Sequence, residues 1–327
     1  MNEDVLAWLL DGDPAVRWRV LRDFTGAGDG VVARERERVA SEGWGARLLA
    51  EQHEDGGWGE GVYSPKWTST TYTLLHLLWL GLPAKHAAVL RGCERLWEWQ
   101  KGWRAPETCV AGILVRLTSA FRYDAERLDG LVEHLVGEQL DDGGWNCKSR
   151  GDKGMHGSFH TSIQALEALD AYRRAGQGGE GGSAGDDGAG DCGGRDGDGQ
   201  VEVGAAIGRG REFFLRHRLY QSHRTGAVAI PASTKFPAFP EWHFDVLRGA
   251  GAFRACRGTE GRPSGGRDRA GQGRATAGWT LVDIHRVRGE AVLPPGRAGG
   301  EPIEHRAGNA RFAMVGGLVA VATVGYS

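Results

Sequence analysis

The chain has 327 residues, 40% of them hydrophobic and 25% charged, so it carries enough apolar surface for a sizeable core and is not globally disordered. Its net charge of -2 gives no reason to expect a polyanionic partner, and no nucleic-acid partner is expected. Five cysteines without a paired CxxC spacing (Cys93, Cys109, Cys147, Cys192 and Cys256) argue against a disulfide framework and for a reducing compartment.

The segment Met1 to Pro14 carries Glu3, Asp4, Asp11 and Asp13, with no basic residue before Arg17. That is unlike a secretory leader, and a cytoplasmic location is the expectation. Next come apolar stripes at helical spacing. Val16, Val20, Leu21 and Phe24 form the first, and Leu74, Leu75, Leu78, Trp79 and Leu82 the second. Val110, Ile113, Leu114, Leu117 and Phe121 follow, then Leu128, Leu131, Val132, Leu135 and Val136, then Phe159, Ile163, Leu166 and Leu169. No comparable run alternates with period two, so the predicted class is all-α, with helices joined as antiparallel hairpins. A last helix is predicted over Asn309 to Val324, whose Phe312 to Val324 part is too short and too glycine-interrupted for a transmembrane segment.

Between the stripes lies a repeat. Glu51-Gln52-His53-Glu54-Asp55-Gly56-Gly57-Trp58 and Glu138-Gln139-Leu140-Asp141-Asp142-Gly143-Gly144-Trp145 share the pattern E-Q-x-x-D-G-G-W, 87 residues apart. Each copy follows an apolar helix and precedes another that begins near Thr68-Ser69 or Thr161-Ser162, where these hydroxyls are expected to act as N-caps. Fixed repetition of this kind marks a helical repeat array, with Trp99 to Trp103 as a degenerate midway copy and Gln272 to Trp279 as a decayed third. The motif has a mechanical logic: glycine takes positive φ, the glutamine amide bonds backbone groups, and the indole covers the junction. A structural reading of Asp55 and Asp142 is preferred to a catalytic one.

Residues 176–199 hold 12 glycines in 24 positions with six acids, a composition expected of a flexible insertion. The predicted organisation is therefore residues 1–175 with the two repeats, an insertion over 176–200, and a C-terminal part over 201–327 that is irregular after residue 256. The arginine- and glycine-rich run from Arg257 to Gly278 reads as an irregular loop.

The two motifs resemble the glutamine-tryptophan motifs of the squalene-hopene cyclase group, within the superfamily of terpenoid cyclases and protein prenyltransferases. The likeness is most specific over Leu48 to Tyr172. Segments such as Gly61 to Thr70 and Ser158 to Thr161 are similar to bacterial prenyltransferase-like proteins. The resemblance implies a single α/α toroid around an apolar cavity and an isoprenoid ligand. It does not extend to the chemistry: no Asp-x-Asp-Asp acid motif and no Asp-x-Cys zinc pair occur, and Asp186-Asp187 lies in the glycine-rich insertion. A non-catalytic lipid- or peptide-binding barrel, or a degenerate family member, is the alternative.

Candidate chemistry falls in three groups. Cys147, Asp152, His156 and His160 follow the second repeat; Cys147, His156 and His160 offer a borderline-soft set for zinc, with magnesium the other ion considered. His156, His160, His243 and Asp245 are the candidate acid-base groups, although His243 and Asp245 would diverge if they shared one helix. Trp67, Tyr72 and Trp242 could hold an apolar substrate through their rings, and Arg216 and Arg218 could neutralise a diphosphate headgroup. For each there is a plain structural alternative, namely packing, capping or a solvated helix end.

Overall fold

The computed structural model describes residues 3–101, 106–147, 156–177, 198–235, 237, 239, 241–254, 310–315 and 318–323. The expected insertion between Gln177 and Asp198, Asp152, the decayed third motif and the arginine-rich run lie outside them. The described chain is mainly helical. In order come α1 (Glu3–Leu10), α2 (Pro14–Phe24), α3 (Asp29–Glu37), α4 (Gly43–Ala50), α5 (Thr70–Leu80), α6 (Ala87–Gln100), α7 (Thr108–Phe121), α8 (Asp129–Gly137), α9 (Phe159–Gln177), α10 (Asp198–Arg216) and α11 (Val246–Arg254). Each stripe read from the sequence forms a helix.

The last predicted helix does not form. The predicted final helix is instead an antiparallel hairpin of β1 (Ala310–Val315) and β2 (Leu318–Thr323), with Ala310 opposite Thr323 and Val315 opposite Leu318. The reason is legible in hindsight: Val319, Val321 and Thr323 alternate, and the two runs are separated by Gly316-Gly317, a two-residue hairpin signal.

A continuous core gives α5, α7 and α9 their position. Leu74, Leu77, Val110, Ile113, Leu117, Ile163 and Leu166 are all buried within it. Helix α5 is buried around nearly its whole circumference, as are α7 and the first half of α9, which marks them as inner helices. Helix α7 packs most extensively on α9, and Gly112 allows that approach, because a Cβ there would meet the Gln164 backbone at 3.0 Å. Around them α6, α8 and α10 bury one face each and leave the other to solvent.

The N-terminal helices close off the C-terminal end of α5. Trp18 Nε1 donates to the Leu80 carbonyl (3.0 Å), Arg36 Nε donates to the Gly81 carbonyl (2.7 Å), and Arg19 donates to the Trp79 carbonyl. The last carbonyls of a helix lack intrahelical donors and carry partial negative charge, so two buried guanidinium groups are a favourable cover. No helix among the described residues is long and apolar enough to cross a membrane.

The two repeats make equivalent hydrogen bonds. Gln52 Nε2 donates to Gly56 O (2.8 Å) and to Ala88 O in α6 (2.7 Å); Gln139 Nε2 donates to Gly143 O and to Ala206 O in α10, both at 2.9 Å. The glutamine oxygens accept from Arg91 and Arg209. Trp58 Nε1 reaches back to Leu48 O at 2.7 Å and Trp145 Nε1 to Leu135 O at 2.6 Å. Gly56 and Gly143 adopt φ of 84° and 86°, and a Cβ on Gly143 would stand 2.4 Å from the Arg209 carbonyl. Only glycine fits there.

The expected N-capping by Thr68-Ser69 and Thr161-Ser162 is corrected. Ser69 precedes α5 without a side-chain cap, whereas Thr70 and Ser162 lie in the first turns of α5 and α9 and accept from the Trp58 and Trp145 amides at 3.0 and 2.8 Å. Those amides are buried beneath the joint and have to be paired, which is a stronger demand than capping.

Candidate functional site

The inner helices begin at a common place. Tyr72 belongs to the first turn of α5, Cys109 to that of α7, and His160 and Thr161 to that of α9; their side chains belong to two groups, one of rings and one around Cys147, that meet at the consecutive residues His160 and Thr161. Tyr72 meets Trp67 (ring centroids 5.0 Å) and Tyr63 (5.8 Å); Trp67 meets His243 (5.7 Å); His243 meets His160 (5.5 Å). Thr161 then contacts Cys147 through Oγ1 at 3.4 Å, and Cys147 Sγ accepts from the Cys109 amide at 3.3 Å. Burial raises the Tyr63 phenol above its usual range, against a lowering hydrogen bond from Tyr72.

Two loops complete the cluster. The segment before α5 brings Lys66 over the Trp242 ring at 4.5 Å and holds Trp67 at φ 78°, a left-handed conformation that costs a tryptophan strain and is found disproportionately at functional sites. The segment before α11 lays Trp242 on His160 (5.1 Å) and crosses to α5, where Phe239 packs on His76 (4.7 Å) and Trp79 (5.1 Å). Helix α5 contacts α7, α7 contacts α9, and the loop before α11 touches both α9, through Trp242, and α5, through Phe239.

Buried charge anchors that loop. Arg248, 1% exposed, donates Nε and Nη2 to the two Glu167 oxygens (3.0 and 2.6 Å), Nη2 also to Gln164 Oε1, and Nη1 to the carbonyls of Glu241 and His243. Arg116 on α7 adds a second ion pair to Glu167 at 2.7 Å. Glu167 is held below the ordinary carboxylate range because the two guanidinium groups outweigh its burial.

The predicted site residues separate into those the fold unites and those it does not. Trp67, Tyr72, His160, Trp242 and His243 meet in the cluster. His160 Nδ1 accepts from the Phe244 amide at 2.8 Å, so the neutral ring carries its proton on Nε2. Burial pushes its pKa down to about 4, with His243 and Arg248 adding to the shift. His160 is therefore a neutral hydrogen-bond donor near pH 7. Asp245 does not sit on a helix with His243; it precedes α11 and accepts from the Arg248 amide at 2.9 Å, which is a capping role. Burial raises its carboxyl to about 6, and Oδ2 has no protein partner.

His156 is exposed beyond the second motif, its backbone carbonyl accepting from Asn146 at 2.9 Å. Arg216 and Arg218 are exposed at the end of α10, and no hydrogen bond, ion pair or ring contact among the described residues joins them to the cluster. The expected Cys147, His156 and His160 ligand set is replaced. Cys147 lies with Glu107 and Cys109, whose ligand atoms all fall within 4.8 Å of one another, and no such group among the described residues includes either histidine. Hydrogen bonding with Cys109 draws the Cys147 thiol down to about 7, while the same sharing and burial push Cys109 up.

Glu107, Cys109, Tyr63 and Lys66 were not anticipated. A usable signal existed for the first two: Glu107-Thr108-Cys109 immediately precedes the Val110 to Phe121 stripe, so it had to stand at a helix start. No protein-family model matches the chain, and comparison with curated proteins and with solved structures finds no match.

Proposed function

We propose that the chain is a single α/α toroid whose mouth, at the N-terminal ends of α5, α7 and α9, receives an apolar ligand of isoprenoid type, in the manner of the terpenoid cyclases and prenyltransferases its motifs resemble. The observation that carries this reading is the convergence of Trp67, Tyr72, His160, Trp242 and His243 where three inner helices begin. Ring faces stabilise positive charge that develops on an isoprenoid carbon, and helix N-termini favour an anionic headgroup. Lys66, over the Trp242 ring, adds a cation beside these rings. The indole nitrogen of Trp242 is buried without a protein acceptor, and a ligand oxygen reaching it would remove that cost.

A second reading, a binding or scaffold barrel without turnover, is favoured by one specific observation. The acid-base candidates are tied up in structure, His160 through Nδ1 and Asp245 through its cap on α11. Incubating the purified chain with squalene and with C10 to C20 prenyl diphosphates, with and without zinc and magnesium, separates the two by mass spectrometry of the extracts. A cyclised or transferred product supports the enzyme. Stoichiometric retention of unchanged ligand supports the scaffold, and neither turnover nor retention overturns the isoprenoid reading altogether.

A further inference from the structure

We propose that Glu107, Cys109 and Cys147 form a binding site for a thiophilic divalent cation, zinc in the first instance. Three donors from two separate chain segments are already gathered, with all ligand atoms within 4.8 Å of one another and Cys109 Sγ 3.9 Å from Glu107 Oε2. Tetrahedral zinc with bonds of about 2.0–2.3 Å sets its ligands about 3.3–3.8 Å apart, so closure needs side-chain rotation of about 1 Å or less. The donor types suit the ion: two thiolates and a carboxylate favour zinc over magnesium, which prefers oxygen alone.

The supports of these ligands are equally organised. Glu107 and Cys109 straddle the start of α7, and Cys147 follows the second joint at a point pinned by Trp145, whose amide and indole are both bonded. Cys147 Sγ already receives the Cys109 amide at 3.3 Å and touches Thr161 Oγ1 at 3.4 Å. Contacts of this kind orient a metal-bound thiolate and temper its charge. Three protein ligands leave a fourth position for water or an exogenous ligand, the arrangement of a site with a reactive role. This proposal does not depend on the isoprenoid reading.

The test uses the full chain, reduced and stripped with a chelator, then titrated with zinc against a chromophoric competitor and weighed by native mass spectrometry. One zinc per chain is expected. Cobalt in its place should give the near-ultraviolet charge-transfer absorption of thiolate ligation. Cys109→Ser and Cys147→Ser should each weaken binding at least about a hundredfold, and Glu107→Gln about tenfold. Cys93→Ser, buried in α6 away from the group, should change nothing. Unaltered zinc binding in a folded Cys109→Ser/Cys147→Ser double variant, a cobalt spectrum without thiolate absorption, or no zinc bound by the parent chain would each overturn the proposal.

Discussion

His160 and Asp245 respond oppositely to burial, and each makes a separate pH prediction. His160 is pushed down to about 4, so between about pH 6.5 and 4 the unfolded chain takes up a proton that the folded chain refuses. Its contribution to stability is present above that window and is lost as pH falls through it. In an NMR titration the His160 ring is expected to stay neutral, with the proton on Nε2, down to pH 5; a midpoint near 6.5 would contradict the bond to Phe244. Asp245 is raised to about 6 from 3.8, so the folded chain keeps a proton between those values and stability falls as pH rises through them. Asp245→Asn preserves the capping oxygen and removes the titration. Its stability relative to the parent should improve by roughly 2–3 kcal/mol between pH 4 and pH 7, read from urea midpoints.

At the scale of the element, the joints explain why two distant segments share a sequence. In each, one amide bridges a turn carbonyl and a carbonyl of a neighbouring outer helix, so the glutamine links elements 36 or 67 residues further along. Gln52→Ala and Gln139→Ala should each cost about 1–3 kcal/mol in chemical denaturation, because two carbonyls lose their donor. Trp145→Ala should cost about 3–5 kcal/mol, since its fully buried ring also fills the space over Gly210. Trp145→Phe isolates the lost bond to Leu135 and should cost less. Joints that served only as connections would leave all four variants near parental stability.

For the whole molecule, the decisive link is the one that brings the loop before α11 back to α5. Arg248 holds it through side chains of α9 and through the loop's own carbonyls, and Arg116 ties the same glutamate to α7. Arg248→Met should cost about 3–5 kcal/mol by leaving buried groups unpaired, and should speed hydrogen exchange at the Phe244 amide. Arg248→Lys should not restore either property, because an ammonium cannot reach both Glu167 oxygens, Gln164 and two carbonyls together. Unchanged exchange at Phe244 in both variants would show that the loop is held by its aromatic contacts instead.

The helical class, the position of most inner stripes and the two joints were legible in the sequence, because apolar period and glycine-dependent turns are local properties. The C-terminal hairpin is equally local, signalled by alternating Val319, Val321 and Thr323 beside Gly316-Gly317, although the same apolar residues also fit a helical period. The site was only half legible. Trp67, Tyr72, His160, Trp242 and His243 could be named as polar or aromatic groups near helix starts, yet their meeting depends on helices α5, α7 and α9 beginning at one place. The grouping of Cys147 with Glu107 and Cys109, rather than with the nearer His156 and His160, is likewise a product of packing: α7 lies against α9, and that contact sets residues 38 positions apart within reach of a single ion.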